Sequence, residues 1–322
     1  MKKTKTITLT ILVLLAVTAG ATNLFTEGKE RIPVRIVILS NIIPTLPHWV
    51  AMDQHLYEKE GLDPQVFSFT SSSEPVSAMA NGDADFLPGV SMLDLLKAIE
   101  KLHFHPIIIS HCRINMQRPF ESLIVPTSSQ ISTLQDLEGK TIAVYPGQTS
   151  EAVLRHFLSH KGVNIRNITF RPLPPPQHLQ MLQTGEVDCA HTYEPFRSAA
   201  LEGTKMRELY GSIYASLTEP CPIGGTAISY KLWNEKPEVA KKLIRVWDRA
   251  ILFTREHHDE ASRILQQQMN LTPSVAEKTT WMDLSLSQEV SAEMVGKLAQ
   301  IYRDMGFLDA SFEFDEHLVY KK

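Results

Sequence analysis

Two stretches of the chain, about 105 residues apart, repeat the same order of predicted elements. Each begins with an apolar strand, at 36–39 in the first copy and 142–145 in the second. Each continues through a polar loop, a helix, a second strand and a second helix, and ends in a Gly-acid-x-Asp turn at 82–85 or 185–188. Two matched α/β units predict two matched lobes, with a cleft between them where a small molecule binds.

The bulk properties are typical of an ordinary globular protein. The chain has 322 residues, of which 43% are hydrophobic, and a formal net charge of −4. Such a length allows a large buried core divided between two lobes. The small, evenly spread charge gives no indication of a nucleic-acid surface. We expect the protein to be a monomer. After the N-terminus no apolar run is long enough for a transmembrane helix.

The N-terminus has the pattern of an export signal. Lys2, Lys3 and Lys5 precede an apolar run at 7–17, and Ala19-Gly20-Ala21 has the small-x-small form of a cleavage site. We therefore expect a signal peptide at 1–21, a flexible lead-in at 22–31, and a soluble periplasmic protein. An uncleaved membrane anchor is the alternative, disfavoured because the apolar run is short for a span.

The predicted elements divide the rest of the chain into a discontinuous and a continuous lobe. We expect lobe 1 to comprise 32–115 and 224–322, lobe 2 to comprise 116–223, and the chain to cross between them near 113–120 and 215–226. The last 85 residues or so are predicted to be helical, at 237–251, 259–269, 273–282 and 288–305, with Thr272 and Ser287 as N-caps. This tail is expected to pack on lobe 1.

The cysteines and histidines do not form a recognisable chemical motif. Cys112, Cys189 and Cys221 cannot all pair, and buried free thiols are the favoured interpretation over one disulfide. His103, His105 and His111 could suggest a metal site, but twelve histidines make chance clusters common. We expect no metal and no cofactor. Asp85 and Asp188 repeat at equivalent turns, which favours a structural role at the start of a strand.

Several short runs, taken in order, carry a resemblance to a known family. They are Trp49-Val50-Ala51, the run LYEKEGL at 56–62, AMANGDAD at 78–85, DLEGK at 136–140, and GEVD at 185–188 followed by Tyr193-Glu194-Pro195. With them the chain resembles the periplasmic solute-binding proteins of nitrate/sulfonate/taurine-type ABC importers, which share their fold with thiamine-pyrimidine-precursor binders. The resemblance implies an α/β, type II periplasmic-binding-protein fold that closes by a hinge and delivers a solute to an ABC permease in the inner membrane.

Ligands of open α/β sheets sit beyond the carboxyl ends of the strands. The candidate ligand-binding residues are therefore those of four loops: Ser40 and Asn41; Ser71, Ser72 and Ser73; Gln148, Thr149 and Ser150; and His191, Tyr193 and Glu194. The serine loops open helices, whose free N–H groups are suited to an oxyanion. The alternative is that Ser73 and Ser150 are ordinary N-caps.

Tyr193 and Glu194 are the more specific candidates. A carboxylate in a cleft would hold an ammonium or an exocyclic amine, and a tyrosine would stack on a ring or donate its hydroxyl. Equally, Glu194 could simply favour the start of a helix. No arginine lies in the four loops, and the nearest ones, Arg113 and Arg118, fall at the first crossover, where a solvated position is expected.

The predicted function is the extracytoplasmic capture of a small polar organic or anionic solute of the sulfonate, taurine or nitrate type. A pyrimidine or other aromatic amine is the alternative solute, and a sensor or an enzyme on the same fold is the alternative function. An enzyme is disfavoured because no Gly-x-Ser-x-Gly, His-Glu-x-x-His or phosphate-loop motif occurs.

Overall fold

The computed structural model of the protein describes residues 30–40 and 42–321. The predicted signal peptide, nearly all of the predicted lead-in and the candidate ligand residue Asn41 lie outside these residues. Within the described ranges, none of the helices combines the length and the apolar character that a membrane crossing requires.

The strands form two separate sheets. They are β1 Ile32–Leu39, β2 Leu62–Phe69, β3 Phe86–Ser91, β4 Ile107–Ile114, β5 Glu121–Pro126, β6 Thr141–Val144, β7 Thr169–Pro172, β8 Cys189–Tyr193, β9 Met206–Gly211, β10 Cys221–Ile228 and β11 Asp283–Leu284. The first sheet has the order β11-β4-β10-β3-β1-β2, and the second has the order β7-β6-β8-β5-β9. The first sheet thus takes its strands from 32–114 and 221–284, and the second from 121–211. The exact lobe boundaries stay a prediction.

Helices connect and cover the two sheets. They are α1 Leu46–Asp53, α2 Leu56–Lys59, α3 Ser73–Ala80, α4 Met92–Leu102, α5 Gln148–His160, α6 Pro175–Thr184, α7 Phe196–Leu201, α8 Tyr230–Glu235, α9 Pro237–Glu256, α10 His258–Met269, α11 Pro273–Lys278 and α12 Ala292–Asp304. The alternation of parallel strands with helices gives the expected α/β architecture.

The duplication seen in the sequence is present in both sheets. β1 lies between β2 and β3 and is parallel to both, and β6 lies between β7 and β8 in the same way. The repeated turn aspartates have matching roles: Asp85 Oδ2 accepts the backbone N–H of Arg35 at 2.9 Å, and Asp188 Oδ2 accepts that of Thr141 at 2.8 Å. Their predicted structural role is confirmed. Because the strands within each unit are parallel, the loops after their carboxyl ends meet at one edge of each sheet.

The helical tail packs mainly on the first sheet and its helices. The predicted apolar face of α9 is buried, with Leu243, Val246 and Trp247 each fully enclosed. α9 and α10 pack against α1, and α12 packs against β10 and α4. The tail also touches the second lobe, where Ser198 of α7 donates to the Lys278 carbonyl at 3.2 Å.

Two boundaries in the tail differ from the prediction. α11 ends at Lys278 because the chain then forms β11, which pairs with the edge of β4. α12 begins at Ala292, capped by Ser291, whose hydroxyl accepts from the Met294 N–H at 3.1 Å. Ser287 was expected to be that cap, but its hydroxyl donates to Asp248 at 2.6 Å. The Thr272 cap is confirmed by its acceptance of the Val275 N–H.

The three cysteines are buried free thiols, as expected. Desolvation raises the pKa of the Cys112 thiol to about 12, so its reactive thiolate form is suppressed.

Candidate functional site

A cavity of about 100 Å³ lies where the strand-end loops of the two sheets face each other. Its aromatic wall consists of Phe120, Tyr145, Tyr193, Phe196 and Tyr214, and its hydroxyl groups come from Ser72, Ser91, Thr149 and Ser150. Of the described residues that line it, none is a lysine, an arginine or a histidine. We call it the solute cavity. Its walls therefore offer ring faces and neutral polar groups instead of positive charge.

The first polar group of the cavity is centred on Asp94, a buried carboxylate in the first turn of α4. Ser72 Oγ donates to Asp94 Oδ2 at 2.5 Å, and Thr149 Oγ1 donates to Asp94 Oδ1 at 3.2 Å. Ser91 Oγ lies 3.0 Å from Thr149 Oγ1 and also caps α4 by accepting the Asp94 N–H. Burial raises the pKa of Asp94. Because Thr149 belongs to the second lobe, these hydrogen bonds join the two lobes.

The second polar group is a chain of hydrogen bonds that starts at a buried carboxylate. Glu121 Oε2 lies 3.1 Å from His191 Nε2, and His191 Nδ1 lies 3.3 Å from Ser150 Oγ. Tyr193 donates its hydroxyl to Ser150 Oγ at 2.9 Å. His191 and Glu121 are fully buried, whereas Ser150 and Tyr193 line the cavity. The carboxylate thus fixes the imidazole, and the imidazole orients the two cavity hydroxyls.

The direction of these hydrogen bonds determines what the cavity offers to a ligand. His191 lies between the Glu121 carboxylate and Ser150 Oγ, and Ser150 Oγ also accepts the Tyr193 hydroxyl proton at 2.9 Å. Ser72 and Thr149 likewise direct their protons at Asp94. The hydroxyl protons of Ser72, Thr149 and Tyr193 are thus used within the protein, and oxygen lone pairs remain for the ligand. The cavity therefore favours a ligand that donates hydrogen bonds.

The close approach of the lobes depends on a glycine. Gly147 precedes α5 and has φ +120°, and a Cβ added there would lie 2.9 Å from Ser72 Oγ of the other lobe. Only a residue without a side chain fits both the backbone conformation and this contact. The same loop places the N-terminus of the 13-residue α5 at the cavity.

Glu194 lies in the wall of the cavity, but its carboxylate oxygens already have partners. Oε2 accepts the Ser198 N–H at 3.1 Å, and Oε1 accepts from Ser198 Oγ at 3.0 Å and from Arg197 Nη1 at 3.2 Å. Burial raises the pKa of this carboxyl group. These contacts stabilise the first turn of α7, which is the structural alternative given above, and a direct contact between Glu194 and a solute stays a prediction.

The structure brings together some of the candidate residues and leaves others apart. Ser72, Thr149, Ser150, Tyr193 and Glu194 line the solute cavity, and His191 lies directly behind Ser150. Ser40, Ser71 and Ser73 are not among the residues that line it. Ser71 and Ser73 instead pair with each other at 3.3 Å near the surface. The side chain of Gln148 lies outside the described part of the chain, like Asn41.

The alternative N-cap roles of Ser73 and Ser150 are wrong. The residue before α3 is Ser72, whose hydroxyl is engaged by Asp94, and the residue before α5 is Gly147. Ser73 and Ser150 therefore lie inside their helices, and the hydroxyl of Ser150 is directed into the network at the cavity.

Sequence reasoning missed several residues of the site, among them Ser91, Asp94, Phe120, Glu121 and Tyr214. A signal existed for two of them, because Ser91 and Asp94 follow the third parallel strand of the first unit and have Ser-x-x-acid capping spacing. Phe120 and Tyr214 lie in or next to the two connections between the lobes, which no strand-end rule marks. Glu121 is recognisable only once β5 and β8 are paired, with Glu121 opposite Tyr193.

Comparison with known proteins places this geometry in a family. The family model described as NMT1/THI5 like matches residues 44–261, so the chain belongs to that family. It is 23% identical over 299 residues to a Bacillus subtilis (strain 168) protein named for binding aliphatic sulfonates, covering 92% of this chain and 87% of that one. These relatives are binding proteins and not enzymes.

Solved structures show the same fold. The alkanesulfonate-binding protein from Xanthomonas axonopodis pv. citri, bound to MOPS, matches with a TM-score of 0.71 and 18% identity, over 91% of this chain and 99% of that one. The periplasmic nitrate-binding protein from Synechocystis PCC 6803 matches with a TM-score of 0.67 and 13% identity, over 88% of this chain and 83% of that one. The predicted periplasmic-binding-protein fold is confirmed.

Proposed function

We propose that this protein is the extracytoplasmic solute-binding component of an ABC importer and carries its solute in the solute cavity. The observation that supports this most directly is that both lobes supply the walls of one cavity and are joined across it by the Asp94–Thr149 hydrogen bond. A solute held there contacts both lobes, so it stabilises the closed state more than an open one. In this proposal the protein acts as a periplasmic monomer, and the closed form delivers the solute to a membrane permease.

The solute that the geometry favours is a small amine-bearing compound with a flat or apolar body, such as a pyrimidine or another aromatic amine. The ring faces of Phe120, Tyr145 and Tyr193 suit such a body. The hydroxyl oxygens around Asp94 and His191 accept from its N–H groups. Two buried carboxylates, of Asp94 and Glu121, lie beside the cavity and favour a neutral or cationic ligand, whereas that of Glu194 is paired with Arg197.

A sulfonate-type anion is the second candidate, and taurine combines the two because it carries both an ammonium and a sulfonate. The relatives named for binding aliphatic sulfonates support this candidate. So does the N-terminus of α5, whose free N–H groups and dipole favour an anionic oxygen. A sulfonate is normally neutralised by an arginine. In this cavity it would have to bind without a positively charged residue among the described lining residues.

A thermal-shift screen of the chain from Thr22 onward, unfolded and refolded to remove any bound solute, tests both candidates. One panel holds pyrimidines and other aromatic amines, and the other holds taurine, alkanesulfonates and nitrate. A ligand at a hundred times its dissociation constant adds about 2.7 kcal/mol to the free energy of unfolding. We expect the amine panel to raise Tm by several degrees.

The matched variants are Tyr193→Phe, which removes a cavity hydroxyl, and Tyr210→Phe, which removes the hydroxyl of a half-buried tyrosine outside the solute cavity. The shift should shrink in the first and persist in the second. A shift with anions alone would replace the amine with the sulfonate candidate. The absence of any shift in folded protein would contradict the import function itself.

A further inference from the structure

A second cavity, of about 290 Å³, lies beside the first connection between the lobes. It is bounded by the end of β4, the linker that leads to Phe120, the last turns of α9, and the segment 281–284. We call it the hinge chamber. It shares the side chains of Phe120 and Met282 with the solute cavity, and these two residues separate the compartments.

The hinge chamber contains the positive charge that the solute cavity lacks. Arg113, Arg118 and Arg255 all line it. Arg113 Nη2 pairs with Asp283 Oδ2 at 2.5 Å, and Arg255 Nη2 pairs with Glu289 Oε2 at 3.0 Å and lies 3.8 Å from Asp283 Oδ1. Among the residues that the structure describes, no carboxylate lies within ion-pair distance of Arg118. Three guanidinium groups therefore face two carboxylates, which leaves one positive charge in excess.

Two further donors of the chamber have no acceptor. Arg113 Nε and Trp281 Nε1 are both buried, and neither has a hydrogen-bond partner within the described part of the chain. A buried N–H without a partner is costly, and in folded proteins it calls for an explanation such as a bound water, ion or ligand. Both residues line the same chamber, so a ligand that brought acceptors into it would supply the partners that they lack.

The remaining walls are largely apolar. Ile114, Ile251 and Leu284 line the chamber together with Phe120 and Met282. The Trp281 ring is stacked on His258, with centroids 4.0 Å apart and planes at 14°, so it forms a flat face. An inorganic ion would leave this surface uncovered, whereas an apolar body attached to an anionic head would cover it.

We propose that the hinge chamber is a second binding site, which takes a small organic carboxylate. Its carboxylate oxygens accept from Arg113 Nε and Trp281 Nε1 and pair with the guanidinium of Arg118. Its apolar body packs against Trp281 and the wall of Phe120 and Met282. Since the chamber includes the end of β4 and residues of the β4–β5 connection, its occupant contacts the part of the chain that moves when the lobes open. Occupation of the chamber therefore changes the affinity of the solute cavity, and the reverse holds by linkage.

Isothermal titration calorimetry of the protein at low ionic strength tests this site. The ligands are benzoate and butyrate, and sulfate and phosphate are titrated as inorganic anions for comparison. The variants are Arg118→Gln, at an exposed residue, and Trp281→Phe, which keeps an aromatic ring and removes the N–H. Arg263→Gln, at another exposed arginine that is not in the chamber lining, is the matched control. We expect saturable carboxylate binding that weakens about tenfold or more in both variants and is unchanged in the control.

Four results would overturn the proposal. The first is the absence of saturable binding by either carboxylate, and the second is unchanged binding in Arg118→Gln. The third is a loss of carboxylate binding in Tyr193→Phe but not in Arg118→Gln, which would locate the anion in the solute cavity. Binding of sulfate or phosphate without carboxylate would refute an organic ligand. A failure of the importer function leaves these results unaffected, because no solute is used.

Discussion

Thr149 of the second lobe donates a hydrogen bond to Asp94 of the first, with 3.2 Å between Oγ1 and Oδ1. The acceptor is a buried carboxylate that also accepts from Ser72. A side-chain hydrogen bond to a charged group contributes about 1.5 to 3 kcal/mol when both partners are held in place. This bond therefore favours the closed arrangement of the lobes and is lost when they separate.

Thr149→Val removes this bond while keeping the shape of the side chain. We expect the population of the open state to rise and the dissociation constant of the solute to increase about 5- to 20-fold, because part of the binding energy is then spent on closure. Small-angle scattering of the solute-free protein should show a larger radius of gyration. Thr127→Val, which removes an exposed hydroxyl whose bond to the Lys205 carbonyl stays within one lobe, is the control. Equal effects of the two changes would contradict the role of Thr149.

Gly147→Ala tests the close approach of the lobes. The added Cβ would meet Ser72 Oγ at 2.9 Å, so the lobes would have to separate slightly, and solute affinity should fall at least tenfold. Gly139→Ala is the matched control, because Gly139 also has positive φ, of +75°, but nothing lies within 4 Å of its added Cβ. Both changes strain the backbone and lower stability. If Gly139→Ala weakens solute binding as much as Gly147→Ala does, backbone strain and not contact between the lobes is responsible.

Glu194→Gln separates a structural from a ligand-binding role. The carboxylate holds the first turn of α7 through Ser198 and Arg197, so we expect the free energy of unfolding to fall by about 1 to 3 kcal/mol. Solute affinity should change by less than about threefold. Chemical denaturation and calorimetric titration measure the two quantities. A large loss of affinity with unchanged stability would make Glu194 a direct contact of the solute.

Two buried histidines should make the protein sensitive to acid. Burial lowers the pKa of His48, which is paired with the Tyr57 hydroxyl at 2.9 Å, to about 4, and lowers that of His178 to about 4. The unfolded chain then binds more protons than the folded chain between pH 4 and the ordinary histidine pKa of 6.5. Stability is therefore fully present above about pH 6.5 and is lost as the pH falls towards 4, by on the order of 3 kcal/mol for each histidine.

Urea denaturation at several pH values from 4 to 7 measures this effect. In His48→Gln the slope of the free energy of unfolding against pH should be shallower, and in the double variant with His178→Gln shallower still. His317→Gln, at an exposed histidine, should leave the slope unchanged. A slope that is identical in all variants would mean that other groups govern the acid response.

The repeated units were predictable from sequence because their signals are local. Strand ends, turn glycines and the aspartates at 85 and 188 follow rules of period and turn chemistry that act over a few residues. The amphipathic face of α9 was predictable for the same reason. The boundaries of α11 and α12 were not, because β11 forms only by pairing with β4, about 170 residues away in the sequence.

The candidate site was predictable in part. The loops after parallel strands gave Ser72, Thr149, Ser150 and Tyr193, since that rule depends only on strand direction. Asp94 lies just after β3 and was within reach of the same rule, whereas Glu121 was not, because its buried carboxylate acts through a partner that the fold brings to it, His191. The same holds for the hinge chamber, where Arg113, Arg118 and Trp281 meet only in three dimensions.

The most direct test of the account is the dissociation constant of the best amine-bearing solute for the wild type and for the double variant Ser150→Ala, Tyr193→Phe, measured by isothermal titration calorimetry. We expect an affinity lower by about a hundredfold in the double variant, because two oriented hydroxyls are removed from the cavity wall. The circular dichroism spectrum should be unchanged from that of the wild type. A dissociation constant within twofold of the wild-type value, in folded protein, would contradict the assignment of the solute to this cavity.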